Sequence, residues 1–228
     1  MALPRDYDDN PGRFRLGVLV TDRYLTGAEG IYAHIAGMLG RAGAHLVADI
    51  GCGEGALAAA APSPQMQVIG IDASPAMLAA CPGPRVQADA RRLPFASGSF
   101  DAAVTANMLY HLRDPAAAIR EAHRVLRPGG HFIATAISRN DSPELAAIWK
   151  PAATAFDAEE AAGIVASVFG AAEAERWDAP LITLPDHDAV RDYLIARFVP
   201  PDDAAASAAK VSTPATITKR GAFIRATK

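Results

Sequence analysis

The chain has 228 residues, of which 50% are hydrophobic and 21% charged, with a formal net charge of -3. A chain of this size and composition buries a core without staples, and its mildly acidic balance excludes a general nucleic-acid binder or a protein drawn to anionic membrane surfaces. Two cysteines are too few for a disulfide framework or a zinc site, the six histidines lack metal-ligand spacing, and no apolar leader or membrane-length run is found, so a reducing, cytoplasmic setting and no metal are expected.

Residues 1–13 are polar and broken by Pro4, Pro11 and Gly12, and are expected to form a mobile arm. Over 14–25 the apolar residues fall at irregular spacing. Ile31, Ile35, Met38 and Leu39 recur at helical spacing, which predicts a helix over 28–41 ended by Gly40 and Gly43. Tyr24 and Tyr32 flank it, as core or rim aromatics or as side chains that close over a cofactor.

The apolar run 46–50 then drives into Gly51-Cys52-Gly53-Glu54-Gly55 and on into an alanine-rich segment, the pattern of a strand, a tight turn and a helix start. Gly51, Gly53 and Gly55 remove the Cβ atoms that would hold a ligand off the backbone, so the turn's amides and the helix N-terminus are expected to face a polar cofactor. Cys52 fits inside the turn as a small residue. The spacing also fits a dinucleotide fingerprint. Asp49, at the carboxyl end of the apolar strand, argues for a different occupant. A buried carboxylate wants a cation: an ammonium group would suit it, and a pyrophosphate would be repelled.

Pro62-Ser63-Pro64 is expected to end the helix. Residues 67–72 read as a second strand tipped by Asp72, 21 residues past Gly51, the spacing at which an acidic residue accepts the ribose hydroxyls. Ala73 follows, Ser74 can cap the next helix, Pro75 suits its first position, and Met77 would lean on an adenine face. A third short strand over 86–91 carries Asp89 at its tip, placed to accept from an adenine amino group, with the Ala90 amide and Arg91 beside it. Strand four over 102–105 leads into Asn107, Tyr110 and His111, at the rim where open α/β sheets place ligands. A helix over 114–126, a strand over 131–136, helices over 143–155 and 157–169, a bent strand over 172–177 and 181–184, helices over 186–198 and 202–211, and a last antiparallel strand over 216–226 complete the reading. Strand-helix alternation of this kind predicts an α/β, Rossmann-like doubly wound sheet.

Taken together, Asp49-Ile-Gly-Cys-Gly-Glu-Gly55, Asp72, Ala88-Asp89-Ala90, Leu93-Pro-Phe95 with Ser99-Phe100-Asp101, and Arg124-Val-Leu-Arg-Pro-Gly-Gly130 resemble the ordered landmarks of the class I S-adenosylmethionine-dependent methyltransferases. The resemblance is close over 45–137 and weak beyond. Within that family the sequence looks most like the small-molecule branch related to ubiquinone and menaquinone methyltransferases, although its C-terminal third departs from the quinone enzymes. No Asn/Asp-Pro-Pro-Tyr follows strand four, and no paired-Glu loop or metal-binding carboxylate set is found. The family implies a seven-stranded sheet, mostly parallel with an antiparallel last strand and helices on both faces.

One domain is expected over 1–228, with an N-terminal part over 1–43, a cofactor core over 44–137 and acceptor-side elements over 138–228. S-adenosylmethionine would be held by Tyr24, Asp49, Gly51, Cys52, Gly53, Asp72, Ala73, Met77, Asp89, Ala90, Arg91 and Asn107, and would leave as S-adenosylhomocysteine. His111 and Tyr110 would orient or deprotonate a small organic acceptor at O, N or C, since an in-line displacement from a sulfonium needs alignment and a base only when the acceptor must lose a proton. Trp149, Trp177, His187 and Tyr193 are further candidates for an acceptor lid. An RNA-modifying methyltransferase, a noncatalytic cofactor-binding regulator and a nicotinamide dehydrogenase are the alternatives, and a monomer or homodimer is expected.

Overall fold

The computed structural model describes residues 7–61 and 65–228. Seven strands form one sheet: β1 Leu46–Ile50, β2 Gln67–Asp72, β3 Arg85–Gln87, β4 Phe100–Thr105, β5 Leu126–Ile137, β6 Glu173–Leu184 and β7 Ala215–Thr227, in the order β3-β2-β1-β4-β5-β7-β6. β7 runs antiparallel to both β5 and β6, and the pairs from β3 to β5 are parallel, as expected from the sequence. The order reverses between β1 and β4, and a crevice opens at the carboxyl ends of strands at such a switch point.

Burial explains the central strands. Val47, Ala48 and Ile50 of β1 and Ala102, Ala103 and Val104 of β4 are fully buried, so both faces of the sheet are covered and the sequence runs apolar rather than alternating. Each such Val or Ile stabilises the fold by about 1.5–3 kcal/mol relative to exposure. One face packs on α5 (Pro115–Val125) and α6 (Ala161–Phe169), and the other on α2 (Ile31–Arg41) and α3 (Ala56–Ala59). A third apolar cluster joins α1 (Pro11–Tyr24), α7 (His187–Ile195) and α8 (Pro201–Ala208) to the β6–β7 ribbon.

The expected Ser74 cap forms: its Oγ accepts from the Met77 amide at the start of α4 (Pro75–Ala80). Asp114 and Asp186 likewise cap α5 and α7. β6 slips register between Pro180 and Ile182, the bend expected there.

Other expectations are corrected. The irregular segment 14–25 is helical: α1 begins at Pro11, capped by Asn10, so among the described residues of the expected arm 7–10 lie outside the helix. Residues 1–6 of the expected arm, and Pro62-Ser63-Pro64, lie outside the described residues. The helix expected over 143–155 is a single 3-10 turn, Pro143–Leu145. There the Glu144 carboxylate accepts from the Thr218 amide and hydroxyl, and Leu145 is buried in the third cluster, so tertiary bonds outweigh the local propensity.

Candidate cofactor and acceptor site

β1 carries Asp49 to the centre of the sheet, where it pairs with Gly70 of β2 and Val104 of β4. The side chain is 2% exposed, and its Oδ2 has no hydrogen-bond partner among the described residues. Burial first, and then the charge of Asp72, push its carboxyl up to about 7. At the same end of β4, the Thr105 hydroxyl is also buried without a partner. Native cores pair such atoms, so both are vacant partners for polar ligand groups. A buried carboxylate oxygen lacking a donor fits the ammonium of an amino-acid moiety, and this is the test that the residues present pass.

The glycine turn differs from the expectation. The Gly51 and Cys52 amides both donate to Ile71 O, at 2.7 and 3.1 Å, Gly53 N donates to Asp72 Oδ2 at 2.9 Å, and Gly55 N to Cys52 O at 2.9 Å. These amides are engaged within the protein rather than offered to a ligand, and α3 spans only four residues. The glycines serve close approach instead. Gly51 has φ +77°, and a Cβ there would lie 2.6 Å from Met108 Cβ. The same atom on Gly53 would lie 3.3 Å from the Phe14 ring.

Asp72 stands at the tip of β2, where Oδ2 takes the Gly53 amide and Oδ1 the Ser74 amide at 2.9 Å, so one carboxylate ties the turn to the second strand. A carboxylate has about four lone-pair sites, which leaves capacity for ribose hydroxyls. Ala73 is exposed and its carbonyl accepts from Gln87 Nε2. Met77 and Ala90 are buried. Asp89 sits at the surface with its carboxylate gripped by Arg91 through Nε and Nη2. Cys52 lies 3.9 Å from Cys81 through sulfur, and burial pushes both thiols up, which leaves them unreactive.

Asn107 is fixed by Thr135 of β5: its amide donates to Thr135 Oγ1 at 2.8 Å and its Oδ1 accepts from the same hydroxyl at 3.1 Å, with φ +52°. Tyr32 of α2 lies near the Asn107 side chain, and burial first, then the Asp49 charge, push its hydroxyl up. Tyr32, rather than Tyr24, therefore joins Asp49 and Asn107. Tyr24 packs on the third cluster beside α7.

The turn Leu109–His111 carries the acceptor candidates. Tyr110 and His111 rings lie 4.3 Å apart, His111 is 7% exposed, and burial pushes the Tyr110 hydroxyl up to about 12. The described end of the N-terminal segment covers them. The Tyr7 hydroxyl hydrogen-bonds His111 Nε2, the Tyr7 ring meets Phe14 at 5.7 Å, and Asp8 accepts from Ser74 Oγ at 2.5 Å. Residues 7–14 thus reach from the acceptor turn to Gly53 and the tip of β2. Nothing in the local sequence flags Tyr7 or Phe14, because their contacts lie about a hundred and about forty residues away. Among the lid candidates, Trp177 packs on Phe223 and Gly221, His187 is exposed and bonds Val211 O, and Trp149 packs on the third cluster. Tyr193 is fully buried, with its hydroxyl against Ser142 and Lys219.

A doubly wound sheet of this order, with an unpartnered carboxylate ending β1 and an acidic tip on β2, defines a nucleoside-cofactor fold of the methyltransferase type. Residues 48–134 match the methyltransferase domain family. The chain is 33% identical over 123 residues to a ubiquinone biosynthesis O-methyltransferase of Pseudomonas paraeruginosa, covering 50% of this chain and 51% of that protein. It is 43% identical over 96 residues to an uncharacterized 37.1 kDa protein in a transposon of Streptomyces fradiae, covering 37% and 28%. The chain thus spans about half, or less, of the length of the curated relatives it matches. The YcgJ protein of Bacillus subtilis superposes with TM-score 0.64 at 21% identity, covering 86% of this chain and 98% of that one. The [4+2]-cyclase SpnF superposes with TM-score 0.65 at 17% identity, covering 99% and 98%. Structural likeness at these identities shows the fold alone. Residues 48–134 are thus similar to a methyltransferase domain, and the chain shares the fold of S-adenosylmethionine-dependent methyltransferases, whose cofactor is S-adenosylmethionine.

Proposed function

We propose that the protein moves a methyl group from S-adenosylmethionine to an O, N or C atom of a small organic acceptor, acting as one domain in a reducing cytoplasm. The observation that carries this reading is the buried Asp49 Oδ2 without a partner at the switch point of the sheet. When bound, S-adenosylmethionine supplies the methyl carbon, its carbon–sulfur bond breaking as the acceptor's lone pair forms the new bond and S-adenosylhomocysteine leaves.

Asp49 accepts the donor's ammonium, and Asp72 uses its remaining lone pairs for the ribose. Asn107, locked by Thr135, and Tyr32 hold the space between Asp49 and Tyr110. Burial around Tyr110 and His111 excludes water and strengthens every electrostatic contact there. His111 Nε2 orients an acceptor hydroxyl or amine, and takes its proton where one must be lost. Tyr7 occupies that nitrogen here, so the acceptor replaces the Tyr7 hydroxyl. Among the described residues no metal cluster forms, and no helix is long and apolar enough to cross a membrane.

The experiment is paired calorimetry with S-adenosylhomocysteine and NAD. Binding of S-adenosylhomocysteine and not of NAD is expected, and the opposite preference removes the assignment. Transfer of labelled methyl to a panel of small phenols, amines and acids then reads the activity; copurified cofactor without transfer to any of them would point to the noncatalytic alternative.

A further inference from the structure

Two guanidinium groups lie at the carboxyl end of α7. Arg13 Nη1 donates to Ala196 O at 3.1 Å, and its Cζ lies 3.5 Å from the Phe198 ring centroid. Arg197 Nη1 donates to Tyr193 O at 3.0 Å, and its Cζ lies 3.3 Å from the Tyr193 ring centroid. Arg13 also reaches towards Tyr7, 6.0 Å from that ring, and Tyr7 bonds His111. Both positive charges are felt at the Tyr110 hydroxyl, which they draw down against the larger effect of burial.

Capping of α7 explains part of this arrangement, since cations favour a helix C-terminus. It leaves much of Arg197 unused. A guanidinium has five N–H donors in a planar fork, and Arg197 commits one of them to a carbonyl. Among the described residues no carboxylate forms an ion pair with Arg197, although the side chain is half-buried. The segment that carries it is strained as well: Phe198 has φ +66°, a left-handed conformation that a bulky residue adopts at a cost of about 1–2 kcal/mol. A half-buried guanidinium stacked on Tyr193, next to a constrained turn and with most of its fork uncommitted, matches an organic acid whose carboxylate it takes bidentately.

We propose that Arg197, with Arg13 beside it, is the recognition site for a carboxylate on the methyl acceptor, so that the substrate is an organic acid held with its nucleophilic atom towards His111. This rests on the methyltransferase reading of the same site. The donor also carries a carboxylate, and the test separates the two sources.

The protein is first titrated with S-adenosylhomocysteine and then, saturated with it, with matched pairs of acids and their amides: 4-hydroxybenzoate and 4-hydroxybenzamide, phenylacetate and phenylacetamide, anthranilate and anthranilamide. The expected result is a preference of about tenfold or more for the acid in at least one pair. That preference should disappear in Arg197→Gln and return in part in Arg197→Lys, with the affinity for S-adenosylhomocysteine unchanged in both and both variants folded at the temperature of the titration. A protein that binds S-adenosylhomocysteine and prefers no acid over its amide, including one that binds neither member of any pair, overturns this proposal alone. Loss of S-adenosylhomocysteine affinity in a folded Arg197→Gln assigns the guanidinium to the donor and also overturns it. A protein that binds no S-adenosylhomocysteine overturns the methyltransferase reading and this one together.

Discussion

The Asp72 carboxylate and the Gly53 amide are joined by a hydrogen bond of 2.9 Å that spans from the tip of β2 to the turn after β1. With the Ser74 amide on its other oxygen, Asp72 holds both walls of the crevice as one piece while keeping lone pairs for a ligand. Asp72→Ala should therefore weaken S-adenosylhomocysteine binding by about 1.5–3 kcal/mol, the scale of hydrogen bonds to a charged group. Calorimetry reads this directly. Unchanged affinity would take Asp72 out of the site.

Gly51→Ala should destabilise the fold. At φ +77° a side chain is strained, and the new methyl group would fall 2.6 Å from Met108 Cβ, a position that cannot move without shifting the backbone after β4. The left-handed conformation alone costs about 1–2 kcal/mol. In a chain of this length each kcal/mol lowers the melting midpoint by about 2–4 °C. Calorimetric melting of the variant is the check, and a midpoint equal to wild type would mean that the turn is not packed as described.

Phe14 lies over Gly53 and Tyr7 over His111, so the segment that carries them must yield before a ligand reaches Asp49. Phe14→Ala should raise the association rate of S-adenosylhomocysteine while leaving the midpoint of unfolding nearly unchanged, because residue 14 lies at the edge of the core. Stopped-flow fluorescence would show it. A slower association would mean that the segment guides the ligand in.

The pH dependence of the free protein follows from Asp49. Its carboxyl is raised to about 7 by burial and by Asp72, against about 3.9 in an unfolded chain. Between those values the native state holds a proton that the unfolded state has released. The contribution of Asp49 to stability is therefore full in acid and is lost as pH rises through about 7. Asp49→Asn removes the charge, so the gap in urea midpoint between variant and wild type should widen in the variant's favour from pH 5 to pH 8. A gap constant with pH contradicts a buried, unpaired Asp49.

Much of this was legible in the sequence because it rests on local chemistry. Apolar runs marked β1 and β4, and Ser74 before Pro75 marked a capped helix. Pro180 marked the irregularity of β6. The acidic tips of β1 and β2 were readable for the same reason, since a carboxylate ending an apolar strand stands out from the run before it. What escaped depends on contacts distant in the chain. The Gly51 and Cys52 amides look free in the sequence and are taken by Ile71 O, a bond set by the register of two strands. Asp89 sits at a strand tip like the other two acids, and its pairing with Arg91 two residues on is not announced by any pattern in the sequence. α1 was hidden because its apolar side chains answer to α7 and β6 rather than to one regular stripe. The Arg13–Ala196 contact spans the chain, and no local pattern foretells it.

The central claim is that Asp49 awaits an ammonium ion. Binding such a group stabilises its charged form, so the protein must release the proton it holds below pH about 7. The direct test is calorimetric titration with S-adenosylhomocysteine one pH unit below that value, in two buffers of different ionisation enthalpy. The account predicts close to one proton released, none in Asp49→Asn, and none with 5′-methylthioadenosine, which lacks the amino-acid part. Equal heats in the two buffers, or the same release from Asp49→Asn, would contradict it.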